Sequence, residues 1–181
     1  MLYRNANKMK IRNFEFKAKV DDIEIYEKKL LTLKPRYQGL DHQIDTYFNV
    51  RQGRLKLREG NIENSLINYD REDIKGSKES QVILYKHEPD IALKNILTRH
   101  LGVKVIVDKK RKIYFIDNVK FHFDIVENLG AFIEVEAIDK REEFSREELK
   151  EQCDRYFTFF GLAQQDLIDR SYCDLIMDLK E

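Results

Sequence analysis

Two short stretches of this chain place carboxylates at every second position. Phe132-Ile133-Glu134-Val135-Glu136-Ala137 sets Glu134 and Glu136 two apart, and Phe14-Glu15-Phe16-Lys17-Ala18 sets Glu15 beside Lys17 at the same spacing. Side chains alternate faces along a strand, so Glu134 and Glu136 lie opposite Ile133 and Val135, and Glu15 and Lys17 lie opposite Phe14, Phe16, Ala18 and Val20. Carboxylates held at fixed spacing on rigid strands suit a hard divalent cation, because Mg²⁺ and Mn²⁺ take oxygen ligands in near-octahedral geometry. Cations obey the same rule elsewhere. Arg54, Lys56 and Arg58 share a face against Leu55 and Leu57, Lys109 and Arg111 share parity with Ile113, and Lys120, His122 and Asp124 oppose Phe121, Phe123 and Ile125. Like charges at i and i+2 repel unless neutralised, and an ordinary solvated strand face mixes Thr, Ser, Lys and Glu instead. If such faces converge on one polar lumen, cations on one wall and acids on another suit a polyphosphate bridged to a metal ion.

The elements that must position these residues are mostly strands. Period-2 alternation predicts strands over 13–20, 44–50, 53–59, 65–71, 81–87, 103–108, 111–116, 119–127 and 131–138. Turn signals at Gln52-Gly53, Asp117-Asn118 and Asn128-Leu129-Gly130 favour antiparallel hairpins. The loop from Glu72 to Ser80 is the most flexible-looking connection. Amphipathic helices are predicted from Asp21 or Asp22 to Lys34-Pro35, and over about 90–100 before Gly102. A third follows the capping-box pattern Ser145-Arg146-Glu147-Glu148 and runs to Gly161, and the last begins at about Gln164. The fold class is α+β, mainly antiparallel β. If the sheet closes into a barrel with its apolar sides outward under the helices, roughly eight strands give room for one small ligand.

Composition limits the alternatives. The chain has 181 residues, 33 Lys plus Arg against 33 Asp plus Glu, and no global field that would steer it to nucleic acid or an acidic membrane. We expect one domain over 11–181, with residues 1–10 a flexible N-terminal arm. No apolar h-region opens the chain and no stretch approaches a membrane span of about 20 apolar residues, which predicts a cytoplasmic protein. Cys153 and Cys173 fall in helical patterns without zinc-ligand spacing and are read as reduced core residues. The C-terminal aromatics Tyr156, Phe157, Phe159 and Phe160 are core in the simplest reading and a homodimer contact in the other.

The ordered motifs resemble the CYTH or triphosphate tunnel metalloenzyme family, which includes class IV adenylate cyclases and thiamine triphosphatases. They are Asn13-Phe14-Glu15-Phe16-Lys17, Asp45-Thr46-Tyr47-Phe48 with Gly53 to Arg58, Tyr69-Asp70-Arg71, Lys78-Glu79-Ser80, Lys109-Lys110-Arg111, His122 to Glu127, Leu129 to Glu136, and Ser171 to Leu175. The resemblance implies an eight-stranded antiparallel tunnel, a triphosphate substrate and Mg²⁺ or Mn²⁺. It implies metal ligands at Glu15, Asp124, Glu134 and Glu136, and a triphosphate grip from Lys17, Arg54, Lys56, Arg58, Arg71, Lys78, Lys109 and Arg111. Glu15, Lys17 and Glu136 carry the catalytic role in that reading. The stretch from Asp45 to Arg58 is closest to the class IV cyclase branch, which converts ATP to cyclic AMP and pyrophosphate. Hydrolysis of inorganic, thiamine or nucleoside triphosphate is the alternative. One position departs from the family's Glu-x-Glu-x-Lys strand: Asn13 stands where the first glutamate would be, so a non-catalytic triphosphate-binding module is the third reading.

Overall fold

A computed structural model describes residues 11–70 and 78–180. Eight strands form it: β1 (Ile11–Val20), β2 (Arg36–Phe48), β3 (Arg54–Gly60), β4 (Ser65–Asp70), β5 (Lys78–Lys86), β6 (Val103–Ile116), β7 (Val119–Val126) and β8 (Gly130–Asp139). They close in the order β1-β5-β4-β3-β2-β6-β7-β8, and every neighbouring pair is antiparallel. The α+β tunnel class is therefore observed. Closure follows from β1, which pairs with β5 along one edge and with β8 along the other.

Helices α1 (Ile23–Leu31), α2 (Ile91–Leu101), α3 (Arg146–Phe160) and α4 (Tyr172–Asp178) complete the fold. The outer faces of β1, β7 and β8, including Phe14, Phe16, Phe121, Phe123, Ile133 and Val135, bury against Leu30 of α1 and against Leu149, Cys153, Tyr156 and Phe160 of α3. Tyr156 and Phe160 are thus core residues, in line with the simpler reading. Both cysteines are free and buried, and burial pushes the Cys153 thiol up to about 12. The α3 start is the predicted capping box, with Ser145 and Glu148 bonded reciprocally, and Gly161 ends it at φ 72°. Among the described residues, no helix is long and apolar enough to cross a membrane.

Four expectations change. Residues 103–108 and 111–116 form one strand, because Lys109 and Arg111 turn inward onto carboxylates and so prolong the alternation instead of breaking it. β2 begins at Arg36, not at 44. Its first half is half-exposed and carries little alternation, yet it pairs with β6 along its whole length. The single helix expected from Gln164 is a 3₁₀ turn (Gln164–Asp166) followed by α4. Between them Leu167 bridges to Ala18, Ile168 N–H donates to Lys17 C=O at 2.8 Å, and Ser171 starts a new capping box with Asp174. Lastly, α2 buries none of its residues, with Ile91 and Ile96 exposed. The Asp90 cap, the Gly102 end and the Lys94–Glu59 pair at 2.7 Å hold it beside the barrel instead.

The second apolar cluster sits inside the barrel. Tyr47, Ile67, Tyr69, Val105, Val107 and Phe132 share strand parity with the lumen charges, and Tyr172 and Cys173 of α4 pack on them. One end of the tunnel is therefore closed by α4, and the charged residues occupy the rest.

Candidate functional site

Register brings the first wall together. Glu15 of β1 and Lys120 of β7 both face Glu136 of β8, while Lys17 and His122 both face Glu134. Lys17 Nζ stands 2.7 Å from Glu134 Oε1, and Arg111 Nη2 donates to Glu134 Oε2. Burial pushes the Glu134 carboxyl up, but Lys17 and Arg111 outweigh it and hold the group well below the usual carboxylate range. Among the described residues, no lysine or arginine is bonded to Glu136. Burial, reinforced by Glu15 and Glu134 and opposed by Lys120, raises it to about 7. Burial, then Arg111 and Lys120, lowers His122 to about 3, so its ring is neutral. One donor atom each from His122, Glu134 and Glu136 lie within 4.8 Å of one another.

The second wall is built around a residue to which the sequence pattern assigned no role. Asp45 of β2 is buried and accepts from Arg58 Nε at 2.8 Å and Nη2 at 2.9 Å, from Lys56 Nζ at 3.0 Å and from Lys109 Nζ at 2.6 Å. Burial pushes the Asp45 carboxyl up, yet Arg58, Lys109 and Lys56 hold it well below its ordinary value. Lys109 is brought down to about 7 by burial against the pull of Asp45, with Arg58, Arg111 and Lys56 adding to the fall. Three of the cations expected to grip a triphosphate, Lys56, Arg58 and Lys109, thus stand gathered on one internal carboxylate.

Glu63 carried no sequence signal either. It sits in the loop after β3, where no periodicity marks it, and accepts from Lys120 Nζ at 2.6 Å, from Arg58 Nη1 at 3.2 Å and from Gln43 Nε2 at 3.2 Å. Asp41 fixes that loop by accepting from Ile62 N–H at 2.8 Å and Glu63 N–H at 3.0 Å. A Cβ on Gly60 would lie 2.7 Å from Asp41 Oδ1, so only glycine leaves room for this cradle.

Lys17, Lys56, Arg58, Lys109, Arg111, Glu15, Glu134 and Glu136 all line one cavity of about 1020 Å³, at the upper end of the range for small-molecule sites. Two of the expected residues stand elsewhere. Asp124 lies behind this lining: Arg111 holds both of its oxygens, through Nε at 2.7 Å and Nη2 at 2.5 Å, and Tyr172 Oη donates at 2.8 Å. In this position Asp124 anchors Arg111. Arg54 lines a separate pocket of about 110 Å³ and bonds Asp174 of α4 at 2.9 Å. Lys78 belongs to β5 opposite Glu15. Arg71, the N-terminal arm and residues 72–77 of the expected loop lie outside the described residues.

The donor set fits a divalent cation. Among the described residues, Asn13 Oδ1 and both His122 ring nitrogens are buried without a hydrogen-bond partner, and the Asn13 amide nitrogen faces Glu15 Oε2 at 3.2 Å, so its oxygen is the spare atom. Glu134, Glu136 and His122, with Glu15 and Asn13 on the neighbouring strand, would hold such an ion.

This closed tunnel with opposed cationic and acidic walls defines a class. The CYTH domain profile matches residues 12–172, and the chain belongs to the CYTH family. Among solved structures, a conserved hypothetical protein of Pyrococcus furiosus superposes with TM-score 0.78 at 24% identity, over 90% of this chain and 99% of its own. A protein of Vibrio parahaemolyticus classed provisionally as an adenylate cyclase gives TM-score 0.76 at 18% identity, over 91% and 97%. A Hippeastrum protein once assigned as an adenylyl cyclase, with a dominant triphosphatase activity, gives TM-score 0.64 at 10% identity, over 93% and 95%. No curated protein sequence matches the chain.

Proposed function

We propose that the protein is a divalent-metal-dependent enzyme that binds a nucleoside or organic triphosphate in its tunnel and acts on it as a class IV adenylate cyclase does, forming cyclic AMP and pyrophosphate from ATP. One observation carries this reading: a cationic row and a carboxylate–imidazole cluster face each other across a single cavity. CYTH proteins are typically cyclases or triphosphatases. Lys56, Arg58 and Lys109 would exchange Asp45 for phosphate oxygens, while Lys17 and Arg111 bridge the phosphates to Glu134. The bound metal would supply charge neutralisation and polarisation of the phosphate oxygens. In cyclisation the ribose 3′-oxygen bonds to the α-phosphorus, the bond to the pyrophosphate oxygen breaks, and the hydroxyl proton passes to a carboxylate oxygen of the Glu15–Glu136 pair. α4 packs Tyr172 and Cys173 on the apolar cluster at one end. The triphosphatase reading uses the same residues with water as the nucleophile, and the Hippeastrum relative favours weighing it.

Product analysis with ATP, inorganic triphosphate and thiamine triphosphate in Mg²⁺ or Mn²⁺ decides among them. Cyclic AMP with pyrophosphate supports the cyclase, phosphate release the triphosphatase, and a rise in melting temperature without turnover the binding module. The absence of both turnover and a melting-temperature rise with all three would overturn all of these readings.

Two further outcomes are expected. Lys109 is low at about 7 in the free tunnel, and an anion in front of it raises its pKa. The complex therefore holds more protons than the free protein from about pH 7 upward, and binding takes up protons. Calorimetry in buffers of different ionisation enthalpy measures this, and Lys109→Met should abolish that part of the uptake. Asn13→Glu would add a second carboxylate beside Glu15, with the raised Glu136 nearby. Metal affinity and turnover should rise while melting temperature without metal falls; unchanged metal titration would remove position 13 from the site.

A further inference from the structure

We propose that His122 is a direct ligand in a nitrogen-containing metal centre with Glu134 and Glu136, and that this nitrogen makes the tunnel select a first-row transition ion such as Mn²⁺ over Mg²⁺. The inference rests on the reading of the tunnel as a metal site and deepens it, since the carboxylates alone describe an all-oxygen centre.

His122 is 1% exposed, lines the cavity, and among the described residues leaves both ring nitrogens without a hydrogen bond. A buried imidazole is ordinarily hydrogen-bonded, so an orphaned one calls for another partner. Its Nδ1 lies 3.4 Å from Glu134 Oε2 and 3.6 Å from Glu136 Oε1. Those separations exceed a good hydrogen bond, at about 2.7–3.2 Å. They suit neighbours on one ion: with metal–ligand bonds near 2.1 Å, octahedral ligands stand about 3.0 Å apart when adjacent and about 4.2 Å apart when opposite. Register supports the grouping, because His122 pairs across the ladder with Glu134 and stands diagonal to Glu136, and these three strand positions bring one donor atom each within 4.8 Å of one another. An imidazole nitrogen discriminates between ions. Mg²⁺ is a hard oxygen binder, whereas nitrogen donors raise affinity along the first transition row.

The test uses the full chain stripped of metal by a chelator and titrated with Mn²⁺, with the bound ion examined by electron spin-echo envelope modulation. The expected result is a directly coordinated ¹⁴N that changes to ¹⁵N when histidine is isotopically labelled. His122→Ala should remove the coupling and weaken Mn²⁺ at least about 10-fold, as loss of groups supporting a metal site does, with Mg²⁺ affinity changed far less. His87 also lines the cavity, so His87→Gln is the control and should leave the coupling intact. Tight Mn²⁺ without nitrogen coupling in the unaltered protein would overturn the inference and leave the metal-site reading standing. No Mn²⁺ binding at all would overturn both. The spectrum of the unaltered chain decides between these outcomes even if His122→Ala does not fold.

Discussion

Asp45→Ala is expected to destabilise the protein by about 3–5 kcal/mol, the cost of removing one partner from a buried charge cluster. The reason is specific to this tunnel. Asp45 faces Arg58, Lys56 and Lys109 together, and all three side chains are largely withdrawn from water. Lys109 can shed its proton, but Arg58 cannot, so a guanidinium is left against two amines with Glu63 at 3.2 Å to answer it. Denaturant unfolding should report the loss, and melting temperature should fall by about 6–20 °C for a domain of this size. A second readout separates this account from a generic packing defect. Inorganic triphosphate takes over the missing negative charge, so its stabilisation of Asp45→Ala should exceed its stabilisation of the unaltered protein. Equal shifts would show that Asp45 and the ligand do not compete for the same cations.

Glu136→Gln should behave in the opposite way. Metal affinity is expected to drop at least about 100-fold, because even groups that merely support a ligand contribute 10–100-fold, and turnover should fall with it. Stability without metal should hold or rise. Burial and the charges of Glu15 and Glu134 already disfavour an ionised Glu136, so an amide of the same shape removes a repulsion instead of breaking a pair. Competition against a fluorescent chelator measures the first effect and thermal melting the second. A variant that loses stability but keeps its metal would reassign Glu136 to the structural framework. The raised carboxyl also fixes a direction: ionised Glu136 prevails above about pH 7, so metal binding should tighten as pH rises through that value and release protons.

These two carboxylates differ in how far the chain alone reveals them. Glu136 is visible because Glu134-Val135-Glu136 combines period-2 spacing with flanking apolar residues, which nothing but a two-faced strand explains. Asp45 obeys the same parity with Gln43 and Tyr47, yet a single acid in a strand carries no pattern of its own; three cations converging from β3 and β6 give it meaning. Glu63 is hidden more deeply, in a four-residue connection whose conformation depends on Asp41 and on a contact that only Gly60 permits. Asp124 and Arg54 take their expected roles from position along ordered motifs. Position does not reveal that Arg111 and Tyr172 hold Asp124, or that α4 offers Asp174 to Arg54.

The sequence by itself determined the strands that alternate, the faces that are charged, and hence a sheet needing helices outside and a polar lumen inside. Those properties are local, because side-chain parity repeats every two residues and is written wherever the chain is extended. Tertiary structure decided which charge meets which. The pairing of Glu134 with Lys17, of Asp45 with Lys109, and of His122 with both glutamates crosses from one strand to another. It depends on register, and a shift of one residue would turn each of these side chains to the other face.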